Sequence, residues 1–247
     1  MRSNIWIMEV DLFVPCFIDQ LYPDTAFNTI KVLEKAGCTV NYNPDQTCCG
    51  QPFYNSGHWD KSRDLALKFM NDFPGSNPVI SPSGSCTAYV KNHYKRLFKD
   101  DPEKLSNCGK LGHRVFELTD FLVNELKFTD FEAEFNHKVT FHDSCHALRD
   151  YGIKDEPRLL LSKVNGLELV EMADTDVCCG FGGTFSVKFE PVSSAMAEMK
   201  VNNALATGAE YIIATEASCM MNIQGYIKKH SLSIQTIHIA DVLASRL

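Results

Sequence analysis

Two triplets carry the chemistry of this chain: Cys48-Cys49-Gly50, within DQTCCGQPFYNSG, and Cys178-Cys179-Gly180, within TDVCCGFGGTFSV. They lie 130 positions apart. At nearly the same offset, Cys16 in FVPCFID is matched by Cys145 in FHDSCHA (129 positions), and Cys86 in VISPSGSC by Cys219 in IIATEASC (133 positions). Eight of the ten cysteines thus form two sets of four, one per half of a duplicated chain. The serine before Cys86 and Cys219 repeats as well.

Four thiols that include an adjacent pair restrict what can be held. Structural zinc usually takes its sulfurs from C-x-x-C knuckles, whose loop turns two side chains toward one small ion. Neither half contains a knuckle. Adjacent side chains diverge in extended backbone, so two neighbouring thiolates suit a cluster of several irons better than a single ion. The spacing therefore favours iron–sulfur, with zinc and metal-free redox thiols as alternatives. Glycine after each pair permits positive φ and leaves room for a bulky inorganic group. The run Gly180, Gly182, Gly183 lacks the G-x-G-x-x-G register of a dinucleotide loop.

Other reactive side chains carry weaker signals. His142 and His146 flank Cys145, but the first half has Val14 and Phe17 near the equivalent positions. A role behind the ligands, or on a substrate side, is expected for the two histidines rather than shared ligation. Asp143 and Arg149 carry no stronger claim. Cys38 is expected to begin a buried strand, and Cys108 to lie in an exposed insertion, KDDPEKLSNCGK. No Ser-His-Asp set, Walker loop or H-E-x-x-H helix is present, and nothing marks a flavin or nicotinamide site. No catalytic residue is singled out.

The elements that must position these thiols follow a repeated order. In the first half, NIWIMEV reads as a strand, DTAFNTIKVLEKAG as a helix closed by glycine, and CTVNY as a strand. The triplet loop, the helix HWDKSRDLALKFMNDF, the strand PVIS and the helix CTAYVKNHYKRLF follow. The second half repeats the order with KVTFH, a helix near EPRLLLSKV, LELVEM, the triplet loop, PVSSAMAEMKVNNALATG, YIIA and CMMNIQGYIKKH. A last echo pairs VFELTDFLVNEL with TIHIADVLASRL, matching Asp120 to Asp241. Alternating strands and helices predict an α/β fold: two tandem pseudo-symmetric repeats, 1–130 and 131–247, each a small parallel sheet flanked by helices. Every repeated cysteine follows a strand, so each set of four is expected in loops at strand carboxyl ends, where such sheets build their sites.

Composition narrows the partners. The chain has 247 residues, 45% hydrophobic and 22% charged, with a formal net charge of −7. An acidic chain is a poor match for nucleic acid. The apolar N-terminus is interrupted by Glu9 and Asp11 and shows no small-residue cleavage site, so a buried strand is expected there rather than a signal peptide. No stretch reaches the roughly 18 uncharged apolar residues of a membrane helix. A cytoplasmic setting is expected, where thiols stay reduced and serve as ligands rather than disulfides.

At QTCCGQP, PSGSC, DSCH, CCGFGGTFSVK and LVEM the chain resembles the CCG-domain, or cysteine-rich-domain, iron–sulfur proteins. That family includes the B subunit of heterodisulfide reductase and the iron–sulfur subunit of glycolate oxidase. The resemblance runs from the first strand to the last helix and is strongest to stand-alone two-repeat members that serve lactate utilisation. It implies oxidation of L-lactate to pyruvate together with two partners, a ferredoxin-type iron–sulfur subunit and a small companion protein. Electrons would pass toward a quinone or another carrier. It also implies one cluster of the [4Fe-4S] type per repeat, held by Cys16, Cys48, Cys49 and Cys86 and by Cys145, Cys178, Cys179 and Cys219. Heterodisulfide-reductase-type motifs end in C-x-x-C, which supplies a fifth cysteine. Here Tyr89 and Asn222 stand three residues after Cys86 and Cys219, and Ser83 and Glu216 three before. The rival expectations are a thiol–disulfide oxidoreductase of the heterodisulfide-reductase kind and a structural zinc protein.

Overall fold

The computed structural model describes residues 8–247. Eight short strands are present among them: β1 (Met8–Leu12), β2 (Cys38–Tyr42), β3 (Val79–Ser81), β4 (Val115–Glu117), β5 (Lys138–Phe141), β6 (Glu168–Leu169), β7 (Tyr211–Ala214) and β8 (Gln235–His238). They form two four-stranded sheets, ordered β2-β1-β3-β4 and β6-β5-β7-β8, and every pairing is parallel. The α/β class and the two tandem repeats agree with the sequence. Residues 4–7 of the expected first strand lie outside the described residues.

Each sheet has the same switch point. The chain steps from β1 outward to β2 and then returns to the other side of β1 as β3; β5, β6 and β7 repeat the move. Loops leaving the carboxyl ends of these central strands diverge to opposite faces and leave a crevice between them. The cysteines occupy those loops. Cys16 opens the helix Cys16–Leu21 after β1, and Cys86 lies in the helix Gly84–Ala88 after β3. Cys219 lies in the first turn of the helix Ala217–Lys229 after β7.

The helices bury the stripes that their patterns dictate. Glu190–Leu205 buries Ser193, Ala197, Lys200, Val201 and Ala204, a 3.6-residue period, and has a proline in its first turn. Its counterpart, Trp59–Asp72, buries Ser62, Ala66 and Phe69 at the same spacing. One hydrophobic core joins the two sheets: Val10 and Leu12 of β1 belong to the same cluster as Val139 and Phe141 of β5 and Ile213 of β7. Smaller clusters flank it on either side, around Phe69 and Tyr94 in the first half and around Val201 and Ile223 in the second. The Asp120/Asp241 echo now has a cause, since each carboxylate accepts hydrogen bonds from the opposite half. Asp241 accepts from Thr25 Oγ1 at 2.9 Å and Asn28 Nδ2 at 3.0 Å, and Asp120 from Tyr151 Oη at 2.6 Å.

Three local expectations need correction. The expected exposed insertion is a helix, Pro102–Gly112, started by the Asp101 side chain accepting from Lys104 N at 3.1 Å, with proline at its first position. Cys108 sits on its inner face, 1% exposed, against Met70 Sδ at 3.9 Å. The stretch LELVEM pairs as a strand only over Glu168–Leu169, because beyond Val170 the hydroxyl of Thr140 takes over as acceptor for Met172 N at 3.1 Å. The single helix expected after Cys86 contains a π turn, Tyr89–His93. That wider turn brings Tyr89 and Tyr94, five residues apart, to the same buried face.

Candidate metal centre

Within each half the four thiols form a chain of neighbours. Cys16 Sγ donates to Cys48 Sγ at 3.8 Å. Cys49 in turn neighbours both Cys48 and Cys86 closely enough for the thiols to shift one another's ionisation. The second half repeats it as Cys145, Cys178, Cys179 and Cys219. Both sets face the same space. A cleft of about 100 Å³ between the halves is lined by all eight cysteines of the two sets. The sequence pointed to one pocket per set of four, and the fold adds that the two pockets are one.

The triplet loops are built alike. Gly50 and Gly180 have φ of 91° and 87°, a left-handed turn that other residues adopt only under strain. The turn points each glycine N–H back at the first cysteine of its pair, at 3.4 Å from Cys48 Sγ and from Cys178 Sγ. Behind each glycine, a serine from the following helix anchors its carbonyl: Ser62 Oγ to Gly50 O at 3.1 Å, Ser193 Oγ to Gly180 O at 2.8 Å. The second cysteine's carbonyl is held by Tyr94 Oη at 2.7 Å in one half and Asn222 Nδ2 at 2.9 Å in the other.

This wiring charges the middle of each group. Hydrogen bonds from Cys16 and Cys49, helped by Gly50 N–H, hold the Cys48 thiol down to about 3 against the effect of burial. Cys145, Cys179 and Gly180 do the same to Cys178, at about 2. The donors Cys16 and Cys145 are pushed up, first by sharing their protons with those neighbours and then by burial. Cys49 and Cys179 are pushed up for the same two reasons. Cys219 is held down to about 6, mainly by Cys179 and secondarily by the adjacent His142. Thiolates are the metal-ligating form of cysteine, and Cys48 and Cys178 are the thiols that their surroundings favour in that form.

Some of the residues that the spacing left unassigned line or brace the site, and others lie apart from it. Glu216, three residues before Cys219, crosses the cleft floor and accepts from Ser83 Oγ at 3.0 Å and Ser85 N at 2.8 Å in the other half, and from Ser218 Oγ at 3.1 Å. Asp143 is buried in a two-pronged pair with Arg158, 2.9 Å on each prong, and Arg158 also grips Glu171. His146 lies beside Cys145, with Nδ1 3.6 Å from its sulfur, and lines the cleft. Arg149 donates to Asp176 O at 2.7 Å and stays outside the cleft. Lys200 is fully buried and donates to Thr175 O at 3.1 Å, bracing the second triplet loop; burial pulls its ammonium down. Cys38 is buried in β2 and, like Cys108, lies apart from the cleft; burial pushes both up to about 11. The Ser62/Ser193 pair recurs at an offset of 131, within the spacing that relates the two sets of cysteines.

The donor set fits an iron–sulfur cluster. The thiols arrive from three separate segments that follow different strands, and the adjacent pair is followed by a glycine turn rather than closed into a knuckle. The cysteine-rich domain family matches residues 10–91 and again 139–224, the two stretches that hold the two thiol groups. The chain belongs to this family. It is 41% identical over 239 residues to lactate utilization protein A of Bacillus cytotoxicus, covering 97% of this chain and the whole of that protein. The protein of the same name from Geobacillus kaustophilus is 42% identical over the same span. Among solved structures, a hypothetical protein from Helicobacter pylori shares the fold with a TM-score of 0.64 at 15% identity; the match covers 97% of this chain and 49% of that one. No described helix of this cysteine-rich-domain chain is long and apolar enough to cross a membrane.

Proposed function

We propose that this chain is the iron–sulfur subunit of a system that oxidises L-lactate to pyruvate, with Cys16, Cys48, Cys49 and Cys86 holding one cluster and Cys145, Cys178, Cys179 and Cys219 the other. The observation that carries this reading is the convergence of all eight cysteines on a single cleft. The relatives named for lactate utilisation, matched end to end, supply the substrate. A bound cluster supplies one-electron transfer, and lactate oxidation releases two electrons and two protons, so two centres in one cleft suit the stoichiometry. The chain's own residues supply thiolates, fix them with the Gly50 and Gly180 N–H groups, and line the opening with Phe17 and Phe181, whose rings meet edge to face at 5.4 Å. The partners in this reading are a ferredoxin-type iron–sulfur subunit and a small companion protein, with a quinone or another carrier as acceptor, in the cytoplasm.

A second reading has support from the same cleft. Two thiol groups facing one another across a space lined mainly by apolar surface could receive a disulfide, as in a heterodisulfide-reductase-like oxidoreductase. One anaerobic experiment separates the two. With its partner subunits present, L-lactate should bleach the visible absorbance of the iron-loaded chain and yield pyruvate. Bleaching that is absent with lactate, combined with re-oxidation of the reduced chain by a disulfide, would favour the second reading.

A further inference from the structure

His142 is a buried base whose ring faces the thiols of Cys179 and Cys219. Its side chain is 0% exposed, and neither Nδ1 nor Nε2 has a hydrogen-bond partner. Leaving a buried polar group unpaired is costly. The backbone N–H of His142 donates to Ile213 O at 2.9 Å, which fixes the residue just past the end of β5, beside β7. What it faces is sulfur: a ring nitrogen of His142, Cys179 Sγ and Cys219 Sγ all lie within 4.8 Å of one another.

The other half shows that the fold does not require a histidine here. Phe13 N donates to Ile80 O at the same 2.9 Å, which makes Phe13, one residue before Val14, the counterpart of His142. Phe13 packs edge-on against Phe69 and Phe73, with ring centroids 4.8 and 5.9 Å away. An aromatic ring satisfies that pocket in the first half. The second half places two nitrogens at the same point, beside thiols.

We propose that His142 is a ligand of the centre held by Cys145, Cys178, Cys179 and Cys219, so that the chain's two centres differ in their ligand sets. This rests on the cluster reading above. The two positions where a C-x-x-C motif would supply a fifth cysteine are already engaged in the second half. Glu216 accepts from Ser83, Ser85 and Ser218, and Asn222 donates to Cys179 O. Among the described residues, His142 has the only side-chain nitrogens in this group that are both buried and unpartnered. Neutral imidazole suits iron and zinc as a donor and adds no negative charge to a thiolate-rich centre. Histidine ligation raises the potential of an iron–sulfur centre relative to thiolate ligation, so the second centre should accept an electron before the first.

The test is pulsed electron paramagnetic resonance on the full chain, loaded anaerobically with iron and sulfide, reduced with dithionite and carrying 15N only at histidine. A strong coupling to a histidine nitrogen is expected on one of the two centres. His142→Phe, which copies the first half, should abolish that coupling and leave the other centre's signal in place. His142→Cys should retain the iron content without the nitrogen coupling, which shows that the variant folds and fills its site. Full iron loading without a histidine coupling, or a coupling that survives in His142→Phe, overturns the assignment and leaves the cluster reading standing. A chain that takes up zinc alone, or no metal, overturns the cluster reading and this assignment with it.

Discussion

Cys48 and Cys178 are the residues around which each group is organised, since both accept from a glycine N–H and their neighbouring thiols hold them down. Replacing the neighbouring Cys49 by serine should remove about half of the bound iron, because the two groups share no ligand. Iron analysis after anaerobic loading checks this, and unchanged iron would contradict the ligand set. A second residue-scale prediction concerns Glu117. Burial pushes its carboxyl up to about 8 from an ordinary 4.5, outweighing hydrogen bonds from Thr119 and the N–H of Asp120. The folded state therefore holds this proton more tightly than the unfolded chain. That contribution to stability is full below pH 4.5 and is lost as pH rises through about 8. Glu117→Gln should remove the loss and be more stable than the parent at pH 9 by more than about 1 kcal/mol, read from denaturant midpoints. Equal midpoints at pH 5 and pH 9 in the parent would contradict it. At this scale the cysteines were legible because residue type and offset are written directly in the sequence. Lys200 was not, because a lysine in a helix reads as surface until the triplet loop closes over it.

Elements decide how closely the two groups approach. The helix Gly84–Ala88, which carries Cys86, packs on the π turn Ala147–Tyr151 that follows Cys145. A Cβ on Gly84 would run into Ala147, reaching its Cα at 3.0 Å. Gly84→Ala should therefore destabilise the fold by about 1–3 kcal/mol and spread the cleft. Thermal unfolding checks it, and an unchanged midpoint would mean that the halves are less tightly packed than described. Most elements could be read from period and punctuation: CTVNY and YIIA are strands over the very residues expected. The helix Pro102–Gly112 was missed although Asp101-Pro102 is a readable start, because its charged residues matched the look of a loop. The π turn after Cys86 had no local signal; burying both Tyr89 and Tyr94 is a tertiary demand.

At the scale of the whole molecule, the halves behave as one unit. They share a core, and Glu216 ties the floor of the cleft by accepting from Ser83 and Ser85 across the junction. Glu216→Ala leaves those donors buried and unpaired and should cost about 3 kcal/mol, with loss of metal from both groups rather than one. The units 1–130 and 131–247, expressed separately, should fail to fold cooperatively, as circular dichroism melting would show. None of this inter-repeat geometry was legible beforehand, because an offset search relates equivalent positions within repeats and says nothing of how one repeat faces the other. The central claim is that two thiol groups in one cleft hold two iron–sulfur clusters. Iron and acid-labile sulfide, measured on the anaerobically purified full chain, test it most directly. About eight irons with matching sulfide are expected, falling by about half in Cys49→Ser and in Cys179→Ser. Stoichiometric zinc with no sulfide, or fewer than about four irons in the parent chain, would contradict it.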